Sequence, residues 1–187
     1  FWGAGTRPAL VSFEEKNGKK GAMISAVDLL KGIAAGAGMT NIQVEGANGQ
    51  LHTNYEGKAR AAADALLKDG FDFVYVHVEA PDEMGHQGSW ERKVQSIEYL
   101  DQRLIKHLKE ALDASGEPYR MMVLPDHPTP IRVRTHTSDP VPFLLYDSTK
   151  TQNGQDVYSE KAARASGLTV SRGCELIDRL FEKTEIR

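Results

Sequence analysis

Short apolar runs alternate with amphipathic segments along this chain, and that alternation constrains the fold more than any other feature of the sequence. Such alternation is typical of α/β domains, in which helices cover a mostly parallel sheet. The 187 residues are 40% hydrophobic and 26% charged, which suits a globular domain with a substantial core. Because we find neither an internal repeat nor a linker-like stretch, the sequence predicts one domain over residues 1–187.

The spacing of apolar residues locates the expected helices and strands. The run 71–78 is almost continuously apolar and aromatic, which predicts a central parallel strand covered on both faces. Residues 1–3 read as the end of a buried strand, so we expect the chain to be a fragment. The other predicted strands are 41–44, 121–124 and 141–146, and the predicted helices are 21–35, 55–68, 91–112, 159–166 and 174–183.

Charge and cysteine content narrow the classes of partner. The formal net charge of -3 gives no global field that would attract nucleic acid, so an anionic ligand needs a local cation, a metal ion or backbone donors. No apolar run is long enough to span a bilayer. The single cysteine, Cys174, excludes an internal disulfide, and together with the lack of a leader-like opening it favours a cytoplasmic location.

Polar clusters follow two of the predicted strands directly. Glu79 to His86 comes after the run 71–78, and Asp126 to Pro130 comes after 121–124. Because the carboxyl ends of parallel strands meet at the same edge of a sheet, we expect these clusters to lie close together. His136 comes shortly before the next predicted strand and is expected to return to the same edge.

These segments supply five side chains that suit divalent metal ions: Asp82, His86, Asp126, His127 and His136. Two carboxylates and three imidazoles favour manganese or zinc, whereas magnesium and calcium usually take oxygen ligands alone. An open catalytic site commonly takes three protein ligands. The set of five therefore predicts two ions about 3.5–4 Å apart, placed to clamp the attacking and leaving oxygens of a phosphoryl transfer. Each residue also has a structural interpretation as part of a solvated turn, a helix cap or a surface histidine.

The strings HVEAPDEMGH, LPDHPTP and RTHTSDPVPF resemble the metal-binding motifs of the alkaline phosphatase superfamily. Together with KKGAMISAVDLLKGI and GKARAAADALL, they resemble the archaeal-type cofactor-independent phosphoglycerate mutases over most of the chain. The resemblance implies a three-layer alkaline phosphatase-like core with a mostly parallel sheet and a second, inserted domain. It also implies interconversion of 2-phosphoglycerate and 3-phosphoglycerate through a phosphoserine intermediate, without 2,3-bisphosphoglycerate.

The same resemblance implies a role for each candidate residue. Asp82, His86 and His136 would bind one metal ion, and Asp126 and His127 would bind the other. Mn²⁺ is the expected metal, with Zn²⁺ and Mg²⁺ as alternatives.

Lys20 is a candidate catalytic residue on the substrate side of the site. It resembles the family's substrate-side lysine and stands directly before the predicted helix 21–35, where a cation and free amide groups would hold an anion. A solvated loop lysine is the alternative interpretation.

Several parts of such an enzyme have no counterpart in this sequence. The family completes the second metal site with an early aspartate and the nucleophilic serine, and its inserted domain carries much of an arginine-rich substrate clamp. We therefore expect the chain to correspond to a carboxyl-terminal, incomplete part of the core that is inactive alone and binds its second metal weakly. An exposed sheet surface is expected to make it self-associate.

Two other classes of function fit the metal-ligand pattern. One is another enzyme of the same superfamily, such as a phosphopentomutase, a metal-dependent phosphohydrolase or a phosphonate hydrolase, since the metal ligands do not separate these. The other is a non-catalytic metal-binding module, which should have a self-sufficient sheet and remain a monomer.

Overall fold

The computed structural model describes residues 9–151 and 154–181, which fall into two compact units. Unit 1 comprises the described residues up to Ser115 together with 131–135, and unit 2 comprises 116–130 together with the described residues from His136 onward. The strand end expected at residues 1–3 lies outside the described residues. One domain over 1–187 stays a prediction, because compact units within a chain need not be separate domains.

Unit 1 is built on a parallel three-stranded sheet in the order β2–β1–β3. The strands are β1 (Gly21–Ile24), β2 (Thr40–Asn41) and β3 (Phe73–Val76). In the register, Ala22 of β1 pairs with Thr40 on one side and with Val74 on the other. β1 is buried at every position and is the centre of this sheet. The apolar run predicted to be central forms a shorter strand, and among the described residues β3 pairs with β1 alone.

Residues 21–35 do not form one helix, so that prediction is wrong at its amino-terminal end. They form β1 and then most of α2 (Asp28–Gly36). A stretch that is apolar on every side has no helical or strand period, so its pattern fits a fully buried strand equally well. Gly21 also allows close packing, since a Cβ there would lie 2.8 Å from Cδ1 of Phe13 in α1 (Phe13–Asn17). The strand predicted at 41–44 is also wrong in its extent, because β2 ends at Asn41.

Helix α3 (Tyr55–Leu67) matches the predicted helix 55–68 to within one residue. The Asn54 side chain caps it by accepting a 2.8 Å hydrogen bond from the Gly57 N–H. Tyr55 is fully buried, and its hydroxyl donates to the Leu51 carbonyl at 3.0 Å. Burial raises the pKa of Tyr55 to about 12. The helix thus packs one face into the core of unit 1, where Tyr55 clusters with Ala59, Ala80 and Leu104.

The long helix predicted at 91–112 is confirmed, with a wide turn in its middle. It runs as α5 (Trp90–Tyr99), a π-helical turn (Leu100–Ile105) and α6 (Lys106–Ser115). Arg103 of the wide turn donates through Nε and Nη2 to the two carboxylate oxygens of Glu56 on α3, at 2.6 and 3.0 Å. Its guanidinium also lies 4.9 Å from the ring centre of Tyr99. The bonds to Glu56 fasten the wide turn to α3, and the ring contact fastens it to α5.

Unit 2 contains an antiparallel pair of strands, β4 (Arg120–Val123) and β5 (Leu144–Asp147). β4 lies one residue before the predicted strand 121–124. β5 begins later than the predicted strand 141–146, because Pro140 and Pro142 cannot donate to a strand ladder. The mostly parallel sheet expected from the sequence thus describes unit 1, whereas the two strands of unit 2 run in opposite directions.

The carboxyl-terminal helices of unit 2 are short. α7 (Glu160–Ala165) agrees with the predicted helix 159–166, and the Ser159 hydroxyl caps it by accepting from the Ala162 N–H at 3.2 Å. The predicted helix 174–183 begins as a 3₁₀ turn, Gly173–Glu175, and continues as α8 (Leu176–Leu180). Its predicted end lies outside the described residues.

Asp147 at the end of β5 accepts hydrogen bonds from two other residues. Its Oδ1 accepts from the Thr149 hydroxyl at 2.6 Å and from the Thr149 N–H at 3.0 Å, and its Oδ2 accepts from Arg120 Nε at 2.9 Å. These bonds, the Thr149 hydroxyl foremost, hold the pKa of Asp147 well below its usual range. Because a depressed carboxyl pKa favours the folded state, this stabilisation is present above the unfolded-state pKa of about 4 and is lost as the pH falls below it.

We expect Asp147→Asn to lower the free energy of unfolding by about 1.5–3 kcal/mol at neutral pH, because bonds to a charged acceptor are lost. Denaturant unfolding from about pH 7 to about pH 2 should show the difference from wild type shrinking as the pH falls. Asp69→Asn, at an exposed position after α3, serves as the control. A difference that does not change with pH would contradict the assignment.

Within residues 9–151 and 154–181, no helix is both long and apolar enough to cross a bilayer. Exposed apolar side chains include Tyr75 on β3 and Trp90 and Val94 on α5. They are compatible with the expected self-association, which stays a prediction, as do the cytoplasmic location and the lack of nucleic-acid binding.

Candidate metal centre

The carboxyl edge of the sheet in unit 1 is formed by the ends of β1 and β3. The His77 N–H, just after β3, donates to the Ile24 carbonyl at 2.8 Å. The His77 Nδ1 lies 3.3 Å from the hydroxyl oxygen of Ser25, just after β1. The chain then turns into helix α4 (Ala80–His86), which carries the first predicted polar cluster away from this edge.

Asp82 and His86 lie one turn apart on α4 and face each other. Pro81 in the first turn suits a helix start, since its missing N–H has no partner there in any helix. The i, i+4 spacing puts both side chains on one face of the helix, and Asp82 Oδ2 is 3.3 Å from His86 Nε2. Both side chains are about one third exposed, so a small cation can reach them.

The second nitrogen of the His86 ring is held by the backbone of the segment 131–135. His86 Nδ1 lies 2.9 Å from the Arg134 carbonyl oxygen. Because a carbonyl only accepts, Nδ1 carries the hydrogen of this bond. The Nε2 atom therefore faces the Asp82 carboxylate.

Unit 2 brings the other three predicted ligands near one another. Asp126 and His127 follow β4, and the Asp126 Oδ2 lies 3.4 Å from His127 Nε2. The rings of His127 and His136 are stacked, with centres 3.6 Å apart and planes inclined by 29°. The Thr137 N–H donates to the Pro128 carbonyl at 3.0 Å, and this bond holds the two segments together.

Each unit thus presents a carboxylate beside imidazole, the donor set that manganese and zinc accept. Neutral imidazole is the form that binds metals. The residues present therefore fit divalent metal ions in both units. The metal role of the five side chains stays a prediction.

Lys20 lies at the opposite edge of the sheet of unit 1 from the turn into α4. It stands just before β1, and its backbone carbonyl accepts from the N–H groups of Asp72 and Phe73 just before or at the start of β3. It is therefore at the amino-terminal edge of the sheet, and β1 alone separates it from the carboxyl edge by roughly 13 Å. The predicted helix start that favoured an anion site at Lys20 is a strand. Its catalytic role stays a prediction.

Lys58 is a residue of this region that sequence reasoning missed. It is fully buried on α3, and its Nζ donates to the His77 carbonyl at 2.8 Å, at the carboxyl edge of β3. Burial lowers the pKa of Lys58, and the nearby Glu79 opposes that effect. Burial raises the pKa of Glu79, and Lys58 opposes it in turn. The signal in the sequence is a lysine within the apolar stripe of Tyr55, Ala59 and Ala62.

The chain matches the family model described as the metalloenzyme superfamily over residues 1–176. Over 182 residues it is 47% identical to the 2,3-bisphosphoglycerate-independent phosphoglycerate mutase of Methanosarcina mazei. Over 184 residues it is 46% identical to the probable 2,3-bisphosphoglycerate-independent phosphoglycerate mutase of Geobacter sulfurreducens. These alignments cover 97% and 98% of this chain but 45% of each relative. The chain thus spans less than half the length of the curated relatives it matches.

Solved structures show the same fold. A protein from Pyrococcus horikoshii, 32% identical, superposes with a TM-score of 0.84 over 97% of this chain and 55% of that one. The cofactor-independent phosphoglycerate mutase from Thermoplasma acidophilum, 23% identical, superposes with a TM-score of 0.66 over 94% of this chain and 40% of that one. The expected α/β class and the resemblance carried by the motif strings are confirmed. Because the family model matches residues 1–176 of the 187, the chain belongs to the metalloenzyme superfamily.

Proposed function

We propose that the full-length protein containing this chain is a metal-dependent phosphoglycerate mutase that interconverts 2-phosphoglycerate and 3-phosphoglycerate. The observation that carries the proposal is the pairing of carboxylate with imidazole in each unit, Asp82 with His86 and Asp126 with His127. The names of the relatives from Methanosarcina mazei and Geobacter sulfurreducens support the substrate and the reaction.

Two divalent ions, Mn²⁺ foremost, would be held by the five predicted ligands. Asp82, His86 and His136 would hold one ion, and Asp126 and His127 would hold the other together with groups outside this chain. When bound, such ions neutralise phosphate charge and lower the pKa of an attacking hydroxyl. The residues of this chain supply the rigid framework: α4 fixes Asp82 and His86, and the loop after β4 fixes Asp126 and His127.

The reaction is tested by following 2-phosphoglycerate with ³¹P NMR in the presence of the purified full-length protein and Mn²⁺. We expect 3-phosphoglycerate to accumulate without added 2,3-bisphosphoglycerate. A chelator should stop the reaction and added Mn²⁺ should restore it. Release of inorganic phosphate alone would indicate a phosphohydrolase instead, and metal binding without turnover would indicate a binding module.

Residues 1–187 alone are expected to be inactive in the same assay. Asp126 and His127 alone supply few of the ligands of the second ion. The proposed phosphoserine intermediate also needs a serine from outside this chain. The expected result is a rate equal to that of Mn²⁺ in buffer. A higher rate would contradict the proposed division of the site.

A further inference from the structure

Arg134 has a backbone conformation that arginine rarely adopts. Its φ is 58°, in the left-handed region, and among the described residues it is the one non-glycine residue with a positive φ. Steric contact with the side chain disfavours this region for most residues, and asparagine and glycine tolerate it best. Such conformations persist where the surrounding structure holds them, often at functional sites.

The left-handed turn at Arg134 directs its carbonyl oxygen at the His86 ring, 2.9 Å from Nδ1. The bond fixes which ring nitrogen carries hydrogen, because the carbonyl has none to donate. In the neutral ring, the form that binds metals, the lone pair is then on His86 Nε2, the nitrogen that lies 3.3 Å from Asp82 Oδ2. An outer partner of this kind fixes the tautomer and the orientation of a metal-binding histidine.

The structure also provides room for the Arg134 side chain. The guanidinium lies over Gly88, two residues after α4, where a side chain would collide with its Nε, Cζ and Nη2 atoms. Gly88 itself has a φ of 71°, which a larger residue would adopt with strain. Gly88 therefore leaves the space that the Arg134 side chain occupies, just beyond the end of the helix that carries His86.

We propose that Arg134 is a positioning residue. Its left-handed backbone holds His86 in the Nδ1–H tautomer and presents Nε2, beside Asp82, as the metal-binding atom. The proposal rests on the proposed function in one respect, namely that His86 is a metal ligand.

The tautomer is tested by ¹⁵N NMR of the metal-free full-length protein labelled at histidine. In wild type we expect the His86 shifts of the Nδ1–H form. Arg134→Val should convert His86 to a mixture of tautomers, because a β-branched residue does not adopt a positive φ. Arg134→Asn is the matched control, since it also removes the guanidinium but tolerates the left-handed region, and it should keep the wild-type shifts.

Mn²⁺ titration of the same proteins gives an independent readout. We expect Arg134→Val to weaken Mn²⁺ binding by about 10–100-fold, the usual effect of losing an outer partner of a ligand. Arg134→Asn should bind Mn²⁺ nearly as wild type does. If Arg134→Val does not fold, the wild-type spectrum still decides, because a predominant Nε2–H form of His86 would overturn the proposal.

His86→Ala separates this inference from the proposed function. If His86→Ala leaves Mn²⁺ affinity unchanged, His86 is not a ligand, and the proposed metal site fails whatever the tautomer. If His86→Ala abolishes Mn²⁺ binding while Arg134→Val changes neither the tautomer nor the affinity, the role of Arg134 alone is overturned.

Discussion

Asp82→Ala in the full-length protein is expected to abolish binding of the first metal ion and to reduce mutase turnover by about a thousandfold or more. Metal ions contribute several kcal/mol to charge stabilisation in the transition state, and each 1.4 kcal/mol is about tenfold in rate. Asp82 lies 3.3 Å from His86, so its loss removes one side of the pair on α4. His136→Ala should have the same effect, since the same ion is assigned to it.

The measurement combines Mn²⁺ titration with the ³¹P assay. Glu83→Gln is the control, because Glu83 is the neighbouring carboxylate on α4 and is not assigned to a metal. It should leave both metal affinity and turnover close to wild type. Unchanged turnover in Asp82→Ala or His136→Ala would reject the assignment of the site.

Lys58→Met is expected to lower the free energy of unfolding by about 2–4 kcal/mol. Methionine approximates the length of lysine but leaves the His77 carbonyl without its 2.8 Å donor. It also removes the cation that opposes the effect of burial on Glu79. The Glu79 carboxylate has little room to move, since a Cβ at Gly49 would lie 2.9 Å from its Oε2.

The free energies of unfolding of Lys58→Met and of wild type are compared by denaturant unfolding, with Lys68→Met as the control. Lys68 pairs with Asp64 in an exposed i, i+4 ion pair near the end of the same helix, and such pairs contribute little to stability. The double variant Lys58→Met/Glu79→Gln should recover part of the loss, because no uncompensated carboxylate is left. A Lys58→Met protein as stable as wild type would show that the buried ammonium is dispensable.

The sequence predicted elements best where one period dominated. The alanine-rich segment from Tyr55 has a helical stripe and an asparagine cap, and α3 forms there almost as predicted. The segment from Gly21 to Ile24 is buried at every position, so its apolar pattern carried no period and it was mistaken for a helix. The apolar run 141–146 did not show where β5 begins, because Pro140 and Pro142 exclude the first of these residues from the strand ladder.

The placement of ligand types directly after strands was the informative signal for the candidate site. It located two candidate clusters, and within them Asp82 lies 3.3 Å from His86 and Asp126 lies 3.4 Å from His127. That the two clusters meet at one edge stays a prediction. The left-handed φ of Arg134 has no local signal in the sequence, because only the surrounding contacts hold it. The metal roles themselves stay predictions that the experiments above decide.

The wide turn at Leu100–Ile105 compensates for the gradual rotation of the apolar residues around the axis of the long helix. Its apolar residues recur every four positions from Leu100 to Leu112, and at 3.6 residues per turn each such step overshoots a full rotation by about 40°. An extra residue in one turn cancels part of that overshoot, so the leucines after the turn stay aimed at α3. Deleting one residue within the turn would therefore leave a regular α-helical turn with α6 oriented as before, whereas deleting one residue from the regular helix α5 would rotate the residues on its two sides by about 100° relative to each other.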